Sequence, residues 1–376
     1  MDLSAKILKR IHEKGFITID EFMDISLIKY DSSYYQSKNP LDLSSGDFIT
    51  SPQISQMFGE MVGVWVYNQW ILMNKPKSIS LVEFGPGTGL LMRDILRVLA
   101  KTELLELLDI IMVEKSASLE KIQKEELTAY DGIKWQKDIN ELPNQTSIFV
   151  SNEFFDVFPI KQYIKKGPEF RTHQNSAWQE IVISEKSGDI GFDTIQVEDD
   201  INIYLKNSYP NAMSGAIVEE SPSLDKFIAN ISSHIKTYNS TMLAIDYGYD
   251  IEAKSRKPQT FQQTLQAIKD HKFCDILENI GTCDITSHVN FAKIRYVAEN
   301  QAIRATNTMS QNEFLHLLGI TERMDKLVRS SSEYADIVRA QYKRLVSPEQ
   351  MGLLFKAISL SKKDQQIFIF DEREDG

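Results

Sequence analysis

A chain of 376 residues, 42% hydrophobic and 25% charged, has ample material for a core and is long enough for one large domain or a domain with an inserted part. Its net charge of −11 disfavours a nucleic-acid partner on electrostatic grounds and suits a protein substrate with a basic segment. No apolar run approaches the ~18 residues of a membrane span, and Cys274 and Cys283 lack the Cys-x-x-Cys or His/Cys set of a structural zinc site and read as reduced thiols.

In chain order, residues 2–14 read as an amphipathic helix with Leu3, Ile7, Leu8 and Ile11 on one face, stopped by Gly15. The opening stretch has no secretory apolar core, and Asp2 and Glu13 argue against a transit peptide, so a cytoplasmic location is expected. A short strand-like or turn stretch and a second helix follow, then a polar surface loop from Tyr30 to Pro40. Gly46-Asp47 turns the chain. Ser51-Pro52 supplies an N-cap and an N1 proline, and a long apolar helix is expected to run to Trp70, with Glu60 as its charge.

The apolar run Ile79–Val82 reads as a buried strand ending at Glu83. Gly85, Gly87 and Gly89 follow at spacing two, and Leu91, Met92, Ile95, Leu96, Val98 and Leu99 then recur at helical spacing. Strand, glycine turn and helix form the first unit of a nucleotide-type α/β fold. A dinucleotide fingerprint requires a small residue where Leu90 stands, and a P-loop requires a Gly-Lys-Ser/Thr that this turn lacks. The carboxylate of Glu83 would repel phosphate and could hold a cationic amino group. E-x-G-x-G-x-G resembles motif I of the S-adenosylmethionine (AdoMet) methyltransferases, and the resemblance implies that Glu83 lies near the methionine ammonium. An ordinary glycine-rich βα turn is the competing reading.

A second buried strand ends in Glu114, where this fold class places a carboxylate on both ribose hydroxyls of a nucleoside. A helix (Leu119–Leu127) and a short strand (Ile133–Trp135) lead to Asp138, where methyltransferases often set an acid against the adenine amino group. Ser147–Ser151 is the fourth strand. Asn152, Glu153 and Asp156 stand at its carboxyl end among Phe154, Phe155 and Phe158, facing the crevice in which open α/β sheets bind ligands. From Ile160 to about Asp200, alternating segments suggest inserted antiparallel strands. A strand carrying Glu219-Glu220 and a helix starting at Ser221-Pro222 follow, then an apolar strand with Asp246, Tyr247 and Gly248 at its end. The 264–273 stretch reads as a helix or irregular segment, Ile294–Ala298 as strand-like, and 311–320 as a helix C-capped by Gly319. The remainder reads as helical up to FKAISL, with a last strand QQIFIF.

GDFITSPQISQMFGE, VEFGPGTG, SNEFFDVFPI, IDYGY, GTCDITSHVNF and MG-LLFKAIS, in this order, resemble the MidA-like methyltransferases, the family of the mitochondrial complex I assembly factor with arginine methyltransferase activity. Thr88, Gln263 and Asn290 depart from residues usual in that family. The resemblance implies a Rossmann-like, seven-stranded class I core spanning 77–159 and 212–370. An N-terminal helical cap (1–76), an inserted substrate-recognition segment (160–211) and helical C-terminal additions complete the expected α/β architecture. It also implies AdoMet as cofactor and symmetric dimethylation of an arginine on a quinone-site subunit of complex I or its bacterial counterpart. The location would then be the matrix in a eukaryote; a homodimer stays open.

A guanidinium has a pKa above about 12 and no free lone pair. Carboxylates in a dry pocket can hold it bidentately, localise its charge and accept the proton. Glu153 is the expected base, with Asp156 or Glu219 as second carboxylate and Asn152 orienting the pair. Phe155 and Phe158 could cover the cation, and His288 is an alternative base. Asp47, Thr50 and Ser51 either close over the cofactor or cap the long helix. Two other readings stand beside this one: a methyltransferase for a small molecule or another protein residue, and a non-catalytic assembly chaperone that keeps an AdoMet pocket.

Overall fold

The structure, a computed structural model, describes residues 2–37, 49–167, 177–251, 261–330 and 332–371. The Gly46-Asp47 turn lies outside them. The chain forms two compact units: Met1–Phe48 with Val157–Lys226 and Asp250–Lys293, and Ile49–Asp156 with Phe227–Tyr249 and Ile294–Gly376. These bounds fall elsewhere than the expected 1–76, 77–159 with 212–370, and 160–211. Pairing explains the difference: Ile17–Thr18 joins Trp178–Lys186, and Ile217–Glu220 joins Lys161–Lys165, so the first residues and the strand before Ser221 belong to the inserted sheet.

The second unit carries the expected core. The main path of its sheet comprises β1 (Ile79–Phe84), β2 (Leu108–Val113), β3 (Lys134–Gln136), β4 (Ser147–Asn152), β5 (Thr241–Tyr249), β6 (Arg304–Ala305) and β7 (Phe355–Ser361), with the two-residue strand Met309–Ser310 also pairing β7. They lie in the order β6-β7-β5-β4-β1-β2-β3. Pairing is parallel from β3 to β5, and β7 is antiparallel to both its neighbours. The strand order reverses between β1 and β4, so a crevice opens at their carboxyl ends. Every residue of β1 and β4 is buried, as in a parallel sheet covered on both faces.

The Gln56–Leu72 helix packs closely on the Leu90–Leu99 helix that follows the glycine turn. A Cβ on Gly59 would lie 2.5 Å from Cβ of Asp94, and one on Gly63 would lie 3.0 Å from Cβ of Val98. Ions accompany this contact. Arg323 grips buried Glu60 bidentately at 2.6 and 2.7 Å, and Arg97 bridges Glu60 at 3.3 Å and fully buried Asp94 at 3.1 Å.

Five local expectations change. The helix foreseen from Pro52 to Trp70 is broken at Ser55. Thr50 caps a four-residue helix, Ser51–Ile54, in a box with Gln53, and Ser55 Oγ caps the long helix by accepting the Met57 N–H. Ile294–Ala298 lies within the helix Phe291–Asn300, because Phe291, Ile294 and Ala298 bury one helical face. Phe355–Ser361, read as helical, is the β7 strand. The 365–370 run is a turn stretch whose backbone is met by the amide of buried Gln69, through the Gln366 carbonyl and the Phe368 N–H. The 264–273 segment contributes a hairpin, Gln266–Lys269 with Lys272–Cys274, turned by Asp270 and His271 at φ +51 and +61.

The other unit holds an antiparallel sheet of Ile17–Thr18, Lys161–Lys165, Trp178–Lys186, Asp189–Gln196 and Ile217–Glu220. The inserted strands were legible from their alternation. Among the described residues no helix is long and apolar enough to cross a membrane.

Gly59→Val tests the helix contact. It forces a branched side chain against the Asp94 backbone region and is expected to lower stability by about 2 kcal/mol, read by chemical denaturation.

Candidate active site

The turn after β1 is built from positive backbone angles. Gly85, Gly87 and Gly89 have φ of +61, +55 and +85, which favour glycine. A Cβ on Gly85 would also come within 2.6 Å of the Phe154 ring. The Gly89 N–H closes the turn on the Pro86 carbonyl at 2.8 Å, and the Leu90–Leu99 helix starts at once.

Glu83 lies on β1, two residues before the first glycine of the turn, and is 2% exposed. Its Oε2 has no hydrogen-bond partner among the described residues. Burial pushes its carboxyl up to about 8; a Met92 N–H opposes this and the charge of Glu114 adds to it. Glu114, one residue past β2, accepts from the Ser116 N–H at 2.7 Å and from Gln123 Nε2 at 3.1 Å, and burial raises it too. Gln123 was not foreseen. Its amide also donates to the Gly87 carbonyl at 2.8 Å and accepts from Trp135 Nε1 at 2.9 Å, riveting the acid to the middle glycine and to β3. The polar Lys/Glu-rich sequence of its helix carried no sign that this Gln is fully buried.

Two expected cofactor residues sit differently. Asp138 is exposed, and its Oδ1 caps the Ile139–Glu141 turn, accepting from the N–H and side chain of Asn140 at 2.8 and 2.6 Å. Thr50 is engaged with Gln53 in its own helix cap.

At the carboxyl end of β4 stand Asn152, Glu153 and Asp156. Glu153 has φ +49, a left-handed angle for a residue with a Cβ. Its Oε1 accepts from the Ser51 N–H at 3.0 Å and from Asn152 Nδ2 at 2.9 Å. Burial pushes Glu153 up to about 7, against the pull of the Ser51 N–H and with the added charge of Asp156. Asn152 Oδ1 is buried without a partner among the described residues. The Tyr247 hydroxyl donates to Asp156 Oδ2 at 2.5 Å. Asp246, on β5 just past its last pairing with β4 and 1% exposed, joins this group; burial and then the charge of Asp156 raise it well above the ordinary carboxylate range. Its place at the end of an apolar strand beside β4 was the available signal.

Phe155 is 2% exposed and packs with Phe154 and Phe227, ring centroids 5.9 Å from each. Glu219 and His288 belong to the other unit. There Glu219 accepts from the Thr264 N–H and hydroxyl at 2.9 and 2.5 Å, from the Leu265 N–H at 3.2 Å and from Gln162 at 2.8 Å. The His288 N–H donates to the Thr264 hydroxyl at 2.8 Å. No group of three or more His, Cys, Asp or Glu among the described residues could hold a metal ion.

The residues around the glycine turn fit AdoMet. A buried carboxyl oxygen without a donor suits a cation, which the cofactor's ammonium would supply; the positive-φ glycines admit close approach, and Glu114 retains lone pairs that could take hydroxyls.

Comparison with known proteins agrees with this fit. A family model for S-adenosyl-L-methionine-dependent methyltransferases matches residues 61–309. The chain is 31% identical to the mitochondrial protein arginine methyltransferase NDUFAF7 homolog of Caenorhabditis elegans, over 99% of this chain and 88% of that one. It is 30% identical to the mitochondrial protein arginine methyltransferase NDUFAF7 of Homo sapiens, over 94% and 82%. Its fold resembles a COG1565 superfamily member from Burkholderia thailandensis crystallised with S-adenosyl-homocysteine, at TM-score 0.81 and 24% identity over 96% and 92% of the two chains.

Two outcomes test the site. Glu83 titrates at about 8 when folded against 4.5 ordinarily, so the folded state holds the extra proton and this stability is lost as pH rises through 8. The thermal midpoint of the ligand-free protein should fall more between pH 5.5 and 8.5 in wild type than in Glu83→Gln, each pKa unit being worth about 1.4 kcal/mol. Gly87→Val, which puts a branched side chain at φ +55, should abolish AdoMet binding in calorimetry.

Proposed function

The chain belongs to the S-adenosyl-L-methionine-dependent methyltransferase family, and from that premise we propose that it methylates a protein arginine, by symmetric dimethylation of a complex I core subunit in support of assembly. The observation that carries the reading is the acid-rich end of β4 and β5. Glu153, Asp156 and Asp246 are drawn together there, and the carboxyls of Glu153 and Asp246 are raised by burial. Such a site asks for a delocalised cation. The names of the relatives, protein arginine methyltransferases, support a guanidinium. That substrate would be met in the mitochondrial matrix or in the cytoplasm of a bacterium.

AdoMet, when bound, supplies an activated sulfonium methyl. Glu83 would hold its ammonium and Glu114 its ribose hydroxyls. The chain's own task is to present one guanidinium nitrogen in line and take its proton. Glu153 is the group for this. Its Oε1 is tied by Ser51 and Asn152, which leaves Oε2 to accept from the substrate. Asp156 is the second carboxylate, aimed by Tyr247. Unpartnered Asn152 Oδ1 offers an acceptor to a further N–H. A base near neutrality is matched to proton removal at physiological pH.

Labelled AdoMet incubated with the chain and cognate complex I subunits should place label on arginine, read by mass spectrometry. Transfer to no subunit by protein that binds AdoMet would overturn the proposal. Glu153→Gln should lower kcat at least about 100-fold while cofactor affinity holds. The wild-type rate should rise with pH and level off above about 7, where Glu153 is ionised.

A further inference from the structure

Glu153 at φ +49 occupies a conformation that persists only where its surroundings over-determine it. The restraint lies on the neighbouring strand. The Ile245 carbonyl accepts the Glu153 N–H at 3.0 Å. Oδ2 of Asp246 then accepts the next two amides, Phe154 at 3.0 Å and Phe155 at 2.8 Å. Three consecutive peptides of the turn are therefore held by two consecutive residues of β5. Tyr247 extends the grip to a side chain, its hydroxyl donating to Asp156.

We propose that Asp246 and Tyr247 are positioning residues: Asp246 fixes the strained backbone at 153–155 through one carboxyl oxygen, and Tyr247 aims Asp156, so that the two acids meet a guanidinium as a preset pair. The assignment rests on Glu153 being the group that meets the substrate. Asp246 does not meet it directly. It is 1% exposed, and its second oxygen accepts the Tyr247 N–H at 2.9 Å. The turn it holds also presses on the cofactor side, since the Phe154 ring fills the space a Cβ on Gly85 would need. The backbone that carries Glu153 is thereby registered against the glycine turn.

The chemistry of one oxygen gives a discriminating pair of variants. Asp246→Asn, with its oxygen toward the turn, keeps an acceptor for both amides but loses the charge and the acceptor of the Tyr247 N–H, whereas Asp246→Ala loses both acceptors. Amide hydrogen exchange at Phe154 and Phe155 should be within about threefold of wild type in Asp246→Asn and at least about tenfold faster in Asp246→Ala. For methyl transfer to an arginine peptide, Asp246→Asn should keep kcat within about tenfold, and Asp246→Ala should lose at least about 100-fold without change in cofactor KM. Tyr247→Phe should lower kcat about tenfold and leave the amides protected. Unchanged exchange in Asp246→Ala overturns the proposal, as does a kcat for Asp246→Asn as low as that of Asp246→Ala while its Phe154 and Phe155 amides stay protected. Calorimetry with S-adenosylhomocysteine shows whether each variant is folded; if Asp246→Ala is not, the exchange and rates of Asp246→Asn and Tyr247→Phe decide. A wild-type chain that methylates no arginine refutes the proposed function, while the exchange measurements still decide the restraint.

Discussion

Acids taken out of water at the carboxyl ends of parallel strands are the constraint on which the site depends. Glu83 on β1, Glu114 after β2, Glu153 after β4 and Asp246 on β5 are each raised by burial as the leading cause. A protein gains nothing in stability from burying carboxyl groups without cations. On the proposed function Glu83 would meet one cation beside the glycine turn and Glu153 another beyond β4, while Asp246 is met by backbone amides. The sheet order supplies the place, because the reversal between β1 and β4 leaves a crevice there.

Holding such a site open requires rigid support. Gly59 and Gly63 let the Gln56–Leu72 helix seat directly on the helix that follows the glycine turn, and Glu60, Asp94, Arg97 and Arg323 lock that contact ionically. Gln123 ties Glu114 to the Gly87 carbonyl, and the short helix at Ser51 donates its first N–H to Glu153. Each support is an ordinary hydrogen bond, ion pair or close packing contact. Together they turn loop positions into fixed ones.

Elements set by periodicity and turn chemistry are readable in the sequence. Core strands β1, β2, β4 and β5, the glycine turn and the inserted antiparallel strands were legible because apolar runs and Gly/Pro punctuation are local signals. The features that stayed hidden depended on tertiary context. β7 carries Lys, Ala and Leu, which favour helix, yet lies in the sheet with Ser359 donating to the Met242 carbonyl. Ile294–Ala298 looks like strand by β-branched content and is helical by burial. An acid's partner is not written beside it either. Asp138 is the exception, since its cap on Asn140 two residues on is a local signal, whereas nothing near Glu219 shows that it is taken up by Thr264, Leu265 and Gln162. The Phe155 amide that Asp246 holds lies 91 residues away, and Gln123 joins Glu114, Trp135 and Gly87 at 9, 12 and 36 residues, contacts that only the folded sheet brings together.

The central claim is that a buried, donorless oxygen of Glu83 anchors the cofactor's ammonium. A calorimetric cycle tests it most directly, using wild type and Glu83→Gln against S-adenosylhomocysteine and an analogue in which hydrogen replaces the amino group. Wild type should prefer the amino-bearing ligand by about 100-fold, as expected for a buried charge-assisted pair, and the preference should collapse to within about threefold in the variant. An undiminished preference in Glu83→Gln would contradict the account and place the ammonium elsewhere.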